Sequence, residues 1–108
     1  MIRQISPADL AKRLANGHAI TLIDVRQPWE NELAALPDSK LIPLNELANR
    51  KEELASLSGS AVVCYCHHGI RSQSAAAFLE KCGVKEVYSL TGGIDAWSCE
   101  VDPAVPRY

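Results

Sequence analysis

The chain has 108 residues, 47% hydrophobic and 22% charged, which suits one domain with its own core and is too short for two. A net charge of −2 leaves no basic footprint for nucleic acid, and no apolar run approaches the ~20 residues that cross a bilayer. Met1 to Ile5 runs straight into a helix signal with no leader pattern, so the four cysteines are expected as free thiols in a reducing, cytoplasmic setting.

Ile2 to Ile5 reads as a short first strand. Ser6-Pro7-Ala8-Asp9 is a helix start, with Ser6 as N-cap, Pro7 at the first helical position and Asp9 in the first turn. Leu10 and Leu14 share one face of that helix, and Asn16-Gly17 ends it. Ile20 to Asp24 is an apolar strand ending in a carboxylate, and Pro28 to Leu33 reads as a short helical turn. A third strand is expected near Lys40 to Ile42, where Pro43 breaks it. Leu44, Leu47, Ala48, Lys51 and Leu54 then keep helical spacing, with the charges from Arg50 to Glu53 mostly facing solvent.

Ser58-Gly59-Ser60 turns the chain into the next strand. Beyond it, Glu86 to Leu90 forms another strand, with Val87 and Leu90 directed to the core. Thr91-Gly92-Gly93 is a turn that lets two backbone segments approach. Ile94 to Trp97 starts a last helix, with Trp97 read as a core anchor rather than a substrate platform. Asp102 to Tyr108, interrupted by two prolines, is expected along the surface as an extended tail. Strands alternate with helices throughout, so the expected fold is α/β, a mainly parallel sheet flanked by helices in one domain spanning residues 1–108.

The richest stretch lies between Val62 and Leu79. Val62 and Val63 sit in a short apolar run, as in a strand covered on both faces. After Arg71, Ser72 can cap a helix that runs through Ala75, Ala76, Ala77, Phe78 and Leu79 to Lys81, where Gly83 supplies the stop. Cys66 thus opens a loop between a strand's C-terminal end and a helix N-terminus, the edge where open α/β sheets bind ligands. Thiolates attack sulfur, and the helix N-terminus together with Arg71 favours an anionic sulfur there. Gly69 lets the backbone curl round it. The bland alternative, a buried structural cysteine, suits Cys64 inside the strand better than Cys66. Cys64, Cys66, His67 and His68 lack the second ligand pair of a structural zinc site, so no metal and no organic cofactor is expected.

Cys66-His67-His68-Gly69-Ile70-Arg71-Ser72 resembles the active-site loop of the rhodanese-like domains, Cys-x-x-Gly-x-Arg-Ser. Leu22 to Glu30 is similar to that family's Asp-Val-Arg segment, and Leu90 to Trp97 to its Gly-Gly-x-x-x-Trp segment. Three matches in order cover nearly the whole chain. The resemblance implies a five-stranded sheet with Cys66 at its edge, catalysis by Cys66, and donor binding by the loop His67, His68, Gly69, Ile70, Arg71 and Ser72. It further implies that Asp24 supports the site and that Arg26 helps bind an anionic substrate. Where the family often has His-Ile-x-Gly-Ala, this chain has Leu36-Pro37-Asp38-Ser39-Lys40, so no role of that histidine carries over.

The implied activity is that of a thiosulfate sulfurtransferase-like enzyme. A sulfane sulfur passes from a donor such as thiosulfate or a persulfide, through a Cys66 persulfide, to cyanide, a small thiol or a protein thiol. The alternative from another class is a non-turnover sulfur carrier or partner-binding module inside a protein sulfur relay. A cysteine phosphatase or arsenate reductase is the weaker third: those loops put five residues between Cys and Arg, and here four separate Cys66 from Arg71. Neutral His67 and His68 occupy loop positions where good thiosulfate hosts carry cations, so thiosulfate is expected to be a poor donor that binds more tightly as both protonate. Asp24 first, and Glu32 second, are the expected partners of Arg71.

Overall fold

Side chains alternate along β4 (Ala61–Tyr65) and divide the core in two. Val62 and Cys64 join one apolar cluster, together with Ile23, Leu54, Ala75, Ala76 and Leu79. Val63 and Tyr65 join the other, together with Leu10, Leu22, Leu90, Ile94 and Trp97. The structure, a computed structural model, describes residues 2–108. Strand β4 is central in a five-stranded sheet that also contains β1 (Arg3–Ile5), β2 (Ile20–Asp24), β3 (Lys40–Leu41) and β5 (Val87–Leu90), in the order β1-β5-β4-β2-β3. Every neighbouring pair is parallel, and Asp24 lies beside Tyr65 in the β2–β4 register. The C-terminal ends of β2 and β4 therefore share one edge, as a parallel α/β sheet requires for a site there.

Helix α1 (Pro7–Ala15) starts as its sequence dictates: Ser6 Oγ accepts from the Asp9 N–H at 3.1 Å. Together with α5 (Gly93–Glu100) it covers the Trp97 side of the sheet, and Trp97 is a core residue, 6% exposed. Helix α4 (Arg71–Lys81) covers the opposite face with Ala75, Ala76 and Leu79, and α3 (Lys51–Ala55) adds Leu54. The short α2 (Pro28–Leu33) follows β2 at the site edge. The whole is a single α/β domain.

Three elements depart from the expectation. Residues 44–55 are not one helix: a 3₁₀ segment, Leu44–Arg50, precedes α3. Asn45 and Asn49 are poor helix formers, because their amides compete with the backbone for hydrogen bonds. Ser72 is not the cap of α4, which begins after Ile70 without any capping side chain. The 102–108 segment does not simply lie along the surface as an extended tail: Val105 is buried, and its carbonyl accepts from Ser98 Oγ at 2.6 Å. Among the described residues no helix is long and apolar enough to cross a membrane.

Candidate active site

Cys66 follows β4 directly and is 1% exposed. The loop after it curls so that the Gly69 N–H donates to Sγ at 3.1 Å and the Ser72 N–H at 3.4 Å. Ser72 is the second residue of α4, so the sulfur takes the acceptor place a capping side chain would have filled. This explains why Ser72 faces inward. Its hydroxyl lies 3.6 Å from Sγ, accepting from the thiol, and 2.6 Å from Ser89 Oγ on β5. Of the loop's N–H groups, those of Gly69 and Ser72 thus reach the sulfur.

The loop rests on the start of α5. Ile94 N–H donates to the Cys66 carbonyl at 2.8 Å and Asp95 N–H to the His67 carbonyl at 3.1 Å. Gly69, at φ +96°, and Gly93, at φ +64°, make this approach possible. A Cβ on Gly93 would stand 2.4 Å from both the Cys66 and the His67 carbonyl oxygens. The expected close approach of the Gly-Gly turn to the loop is therefore present. Arg71 closes the far side of the loop by two bonds to Glu30, Nη1 to Oε1 at 2.7 Å and Nη2 to Oε2 at 2.8 Å.

A sequence profile described as the rhodanese-like domain matches residues 6–100. The chain belongs to the rhodanese-like domain family. A protein named "Sulfurtransferase" from Allochromatium vinosum is 35% identical over 98 residues, covering 91% of this chain and 90% of that protein. The probable adenylyltransferase/sulfurtransferase MoeZ of Mycobacterium tuberculosis is 37% identical over 105 residues, covering 96% of this chain but 26% of the longer protein. A chloroplastic rhodanese-like/PpiC domain-containing protein of Arabidopsis thaliana is 40% identical over 89 residues, covering 81% of this chain and 30% of that longer protein. The crystal structure of a rhodanese-related protein from Thermoplasma volcanium superposes with a TM-score of 0.83 at 32% identity, covering 98% of this chain and 99% of that one.

Within this rhodanese-like site, two charge assignments change. Arg26 does not face a substrate: it is fully buried, and its Nε and Nη2 donate to Asp24 at 2.8 and 2.7 Å. Its backbone N–H also bonds Asp24 Oδ1, so the pair closes locally, and the Ala34 carbonyl and Tyr108 hydroxyl take further guanidinium protons. Asp24 pairs with Arg26 rather than with Arg71. The carboxylate on Arg71 is Glu30, not Asp24 or Glu32; Glu30 is buried against the loop and Glu32 is exposed. Hydrogen bonds from Arg71, reinforced by the Gln27 N–H, hold the Glu30 carboxyl down to about 2 despite its burial.

The two histidines differ. His68 is largely exposed, with Nδ1 3.9 Å from Asp95. His67 is sandwiched, its ring 4.0 Å from that of Tyr108 at 10° and 3.9 Å from that of His68 at 29°. Burial and the neighbouring His68 push the His67 pKa below its ordinary value. The lowered pKa works against the expected tightening of thiosulfate through protonation of His67. Cys64 sits buried in β4, its thiol pushed up to about 12 by burial and by nearby Cys66. All four cysteines are free, and among the described residues no group of three or more His, Cys, Asp or Glu side chains is placed to hold a metal ion.

Glu30, Ser89 and Tyr108 are site residues that sequence reasoning missed. Glu30 carried a signal, since it lies three residues after Gln27 in the first turn of a Pro-initiated helix at the site edge. Ser89 and Tyr108 carried none, because only the sheet order and the path of the final segment bring them in. Ile70, inside the Cys66 loop, and Trp29, edge-on to the Tyr108 ring, stand 76% and 59% exposed.

Proposed function

We propose that the chain is a sulfurtransferase that carries a sulfane sulfur as a persulfide on Cys66. The observation that supports this best is the pair of backbone N–H groups aimed at Sγ, with Ser72 Oγ beside them. Fixed donors around a buried sulfur stabilise negative charge on it without rearrangement during reaction. The sulfurtransferase names of the Allochromatium and mycobacterial relatives agree with this reading.

In the first step the Cys66 thiolate attacks the outer sulfur of a donor. With thiosulfate, the donor's S–S bond breaks, sulfite leaves with the electron pair, and Cys66 keeps the sulfur as a persulfide. In the second step cyanide or a thiolate attacks the terminal sulfur and departs as thiocyanate or a new persulfide. The Cys66 S–S bond breaks and the Cys66 thiolate returns. No net electron enters or leaves, so the cycle requires no redox cofactor. Gly69 and Ser72 N–H hold the sulfur in place, and the Ser72 hydroxyl turns between Sγ and Ser89 Oγ as charge moves.

A second reading, a carrier that hands sulfur to a partner protein, is favoured by the exposed Ile70 of the Cys66 loop, the exposed Trp29 against Tyr108, and the much longer sulfurtransferase relatives. Donor-to-acceptor turnover with thiosulfate and cyanide tests the enzyme reading. Cys66→Ser should abolish it while keeping the fold, whereas Cys64→Ser, Cys82→Ser and Cys99→Ser keep activity. A Cys66→Ser variant that still turns over ends this mechanism.

A further inference from the structure

Tyr108 joins the two ion pairs of the site edge. Its hydroxyl accepts from Arg26 Nη1 at 2.8 Å and donates to Glu30 Oε2 at 2.7 Å. Arg26 is anchored on Asp24 at the end of β2, and Glu30 holds Arg71 at the start of α4. The ring of the same tyrosine stacks on His67 and meets Trp29 edge-on, centroids 6.1 Å apart at 78°. One side chain thus touches both ends of the Cys66 loop, His67 directly and Arg71 through Glu30. The segment bringing it there is fixed twice, by Ser98 on the Val105 carbonyl and by an Arg107–Asp95 pair at 2.8 Å.

We infer that Tyr108 is a positioning residue for the Cys66 loop, its hydroxyl setting Glu30 and hence Arg71 while its ring holds His67. The hydrogen bonds of Sγ go to Gly69 and Ser72 and not to Tyr108, so the action of Tyr108 runs through its neighbours. Burial pushes the phenol up to about 12, so the proton it gives Glu30 stays in place across the neutral range. Without the hydroxyl, Glu30 loses one donor and the buried Arg26 Nη1 loses its acceptor. The Arg71 end of the loop can then shift, and small displacements of a reacting atom cost large factors in rate.

The test is Tyr108→Phe, which keeps the ring and removes the junction. Native protein is labelled with iodoacetamide well below its unfolding midpoint, and the labelled cysteines are mapped by mass. Cys66 should label about fivefold faster than in the wild type while Cys64 stays protected, because the loop opens and the sheet does not. The kcat of sulfur transfer should fall about tenfold with the donor KM within about twofold. Glu30→Gln should act similarly, and adding Tyr108→Phe to it should cost little more, since the hydroxyl works through that carboxylate. Wild-type labelling and kcat in Tyr108→Phe overturn the inference. Cys64 labelling in step with Cys66 also overturns it, because that marks general opening, and so does full additivity with Glu30→Gln. The kcat arm rests on the sulfurtransferase reading; if the wild type transfers no sulfur, that reading falls and the labelling still decides the role of Tyr108.

Discussion

Arg71 and Glu30 meet through two parallel hydrogen bonds, 2.7 and 2.8 Å long, that tie the first turn of α4 to α2. A planar guanidinium fits a carboxylate in this way, and a lysine ammonium does not. Arg71→Lys should therefore leave a folded protein with clearly reduced sulfur transfer, and Arg71→Ala should lose more. Steady-state kinetics on both variants decide this; wild-type kcat in Arg71→Lys would contradict it.

The same pair sets an acid limit on stability. Arg71 holds the Glu30 carboxyl down to about 2 from the ordinary 4.5. A carboxyl depressed by folding contributes stability that is fully present above its unfolded pKa and lost as pH falls through the folded one. The contribution of Glu30 should thus be complete near neutrality and decline between 4.5 and about 2. Glu30→Gln should lower the Tm at neutral pH and flatten its fall over that acid window. Melting curves of both proteins test this; parallel acid limbs would show that Glu30 is not the group involved.

The route from Val62 through Cys66 to Lys81 was legible in the sequence, because β-branched residues, a glycine and an alanine-rich helix each favour the same local path. The Ser6 cap and the core role of Trp97 were legible for the same reason. The ion-pair partners were not. Helix α2 has only six residues, too few for periodicity to say that Glu30 turns inward and Glu32 outward. The family resemblance implied a substrate-binding role for Arg26, which lies just beyond the C-terminal end of β2. Its local closure on Asp24, two residues earlier, turns it into the interior. Tyr108 meets Arg26 and Glu30 across 82 and 78 positions of sequence, and a proline-interrupted segment gives no sign of where it lands.

Gly93→Ala should damage the site far more than an alanine at another left-handed glycine. At Gly93 the new Cβ would meet the Cys66 and His67 carbonyl oxygens at 2.4 Å, whereas at Gly17, φ +76°, nothing lies within 4 Å. Gly17→Ala should cost only the backbone strain, about 1 kcal/mol. Gly93→Ala adds a clash with the loop, so transfer activity should collapse together with a larger loss of Tm. Denaturation and kinetics on the two variants check this, and equal costs would remove the tight approach from the account.

Thiosulfate should be a usable but poor donor, since Arg71 is neutralised by Glu30 and Arg26 by Asp24. Burial and the neighbouring His68 lower the His67 pKa, so this ring carries less positive charge near neutrality than an ordinary histidine. His67→Ala should therefore leave the pH dependence of the thiosulfate KM unchanged from about 7.5 to about 6. A pH dependence that disappears with His67 would show a ring that gains its charge in this range despite the lowered pKa.

The most direct measurement is the intact mass of the protein after exposure to a sulfane-sulfur donor and removal of the excess, followed by peptide mapping. The account predicts a gain of one sulfur atom, located on Cys66, released by cyanide and absent in Cys66→Ser. A protein that gains no sulfur, or gains it on Cys82 or Cys99 with Cys66 unmodified, would contradict it.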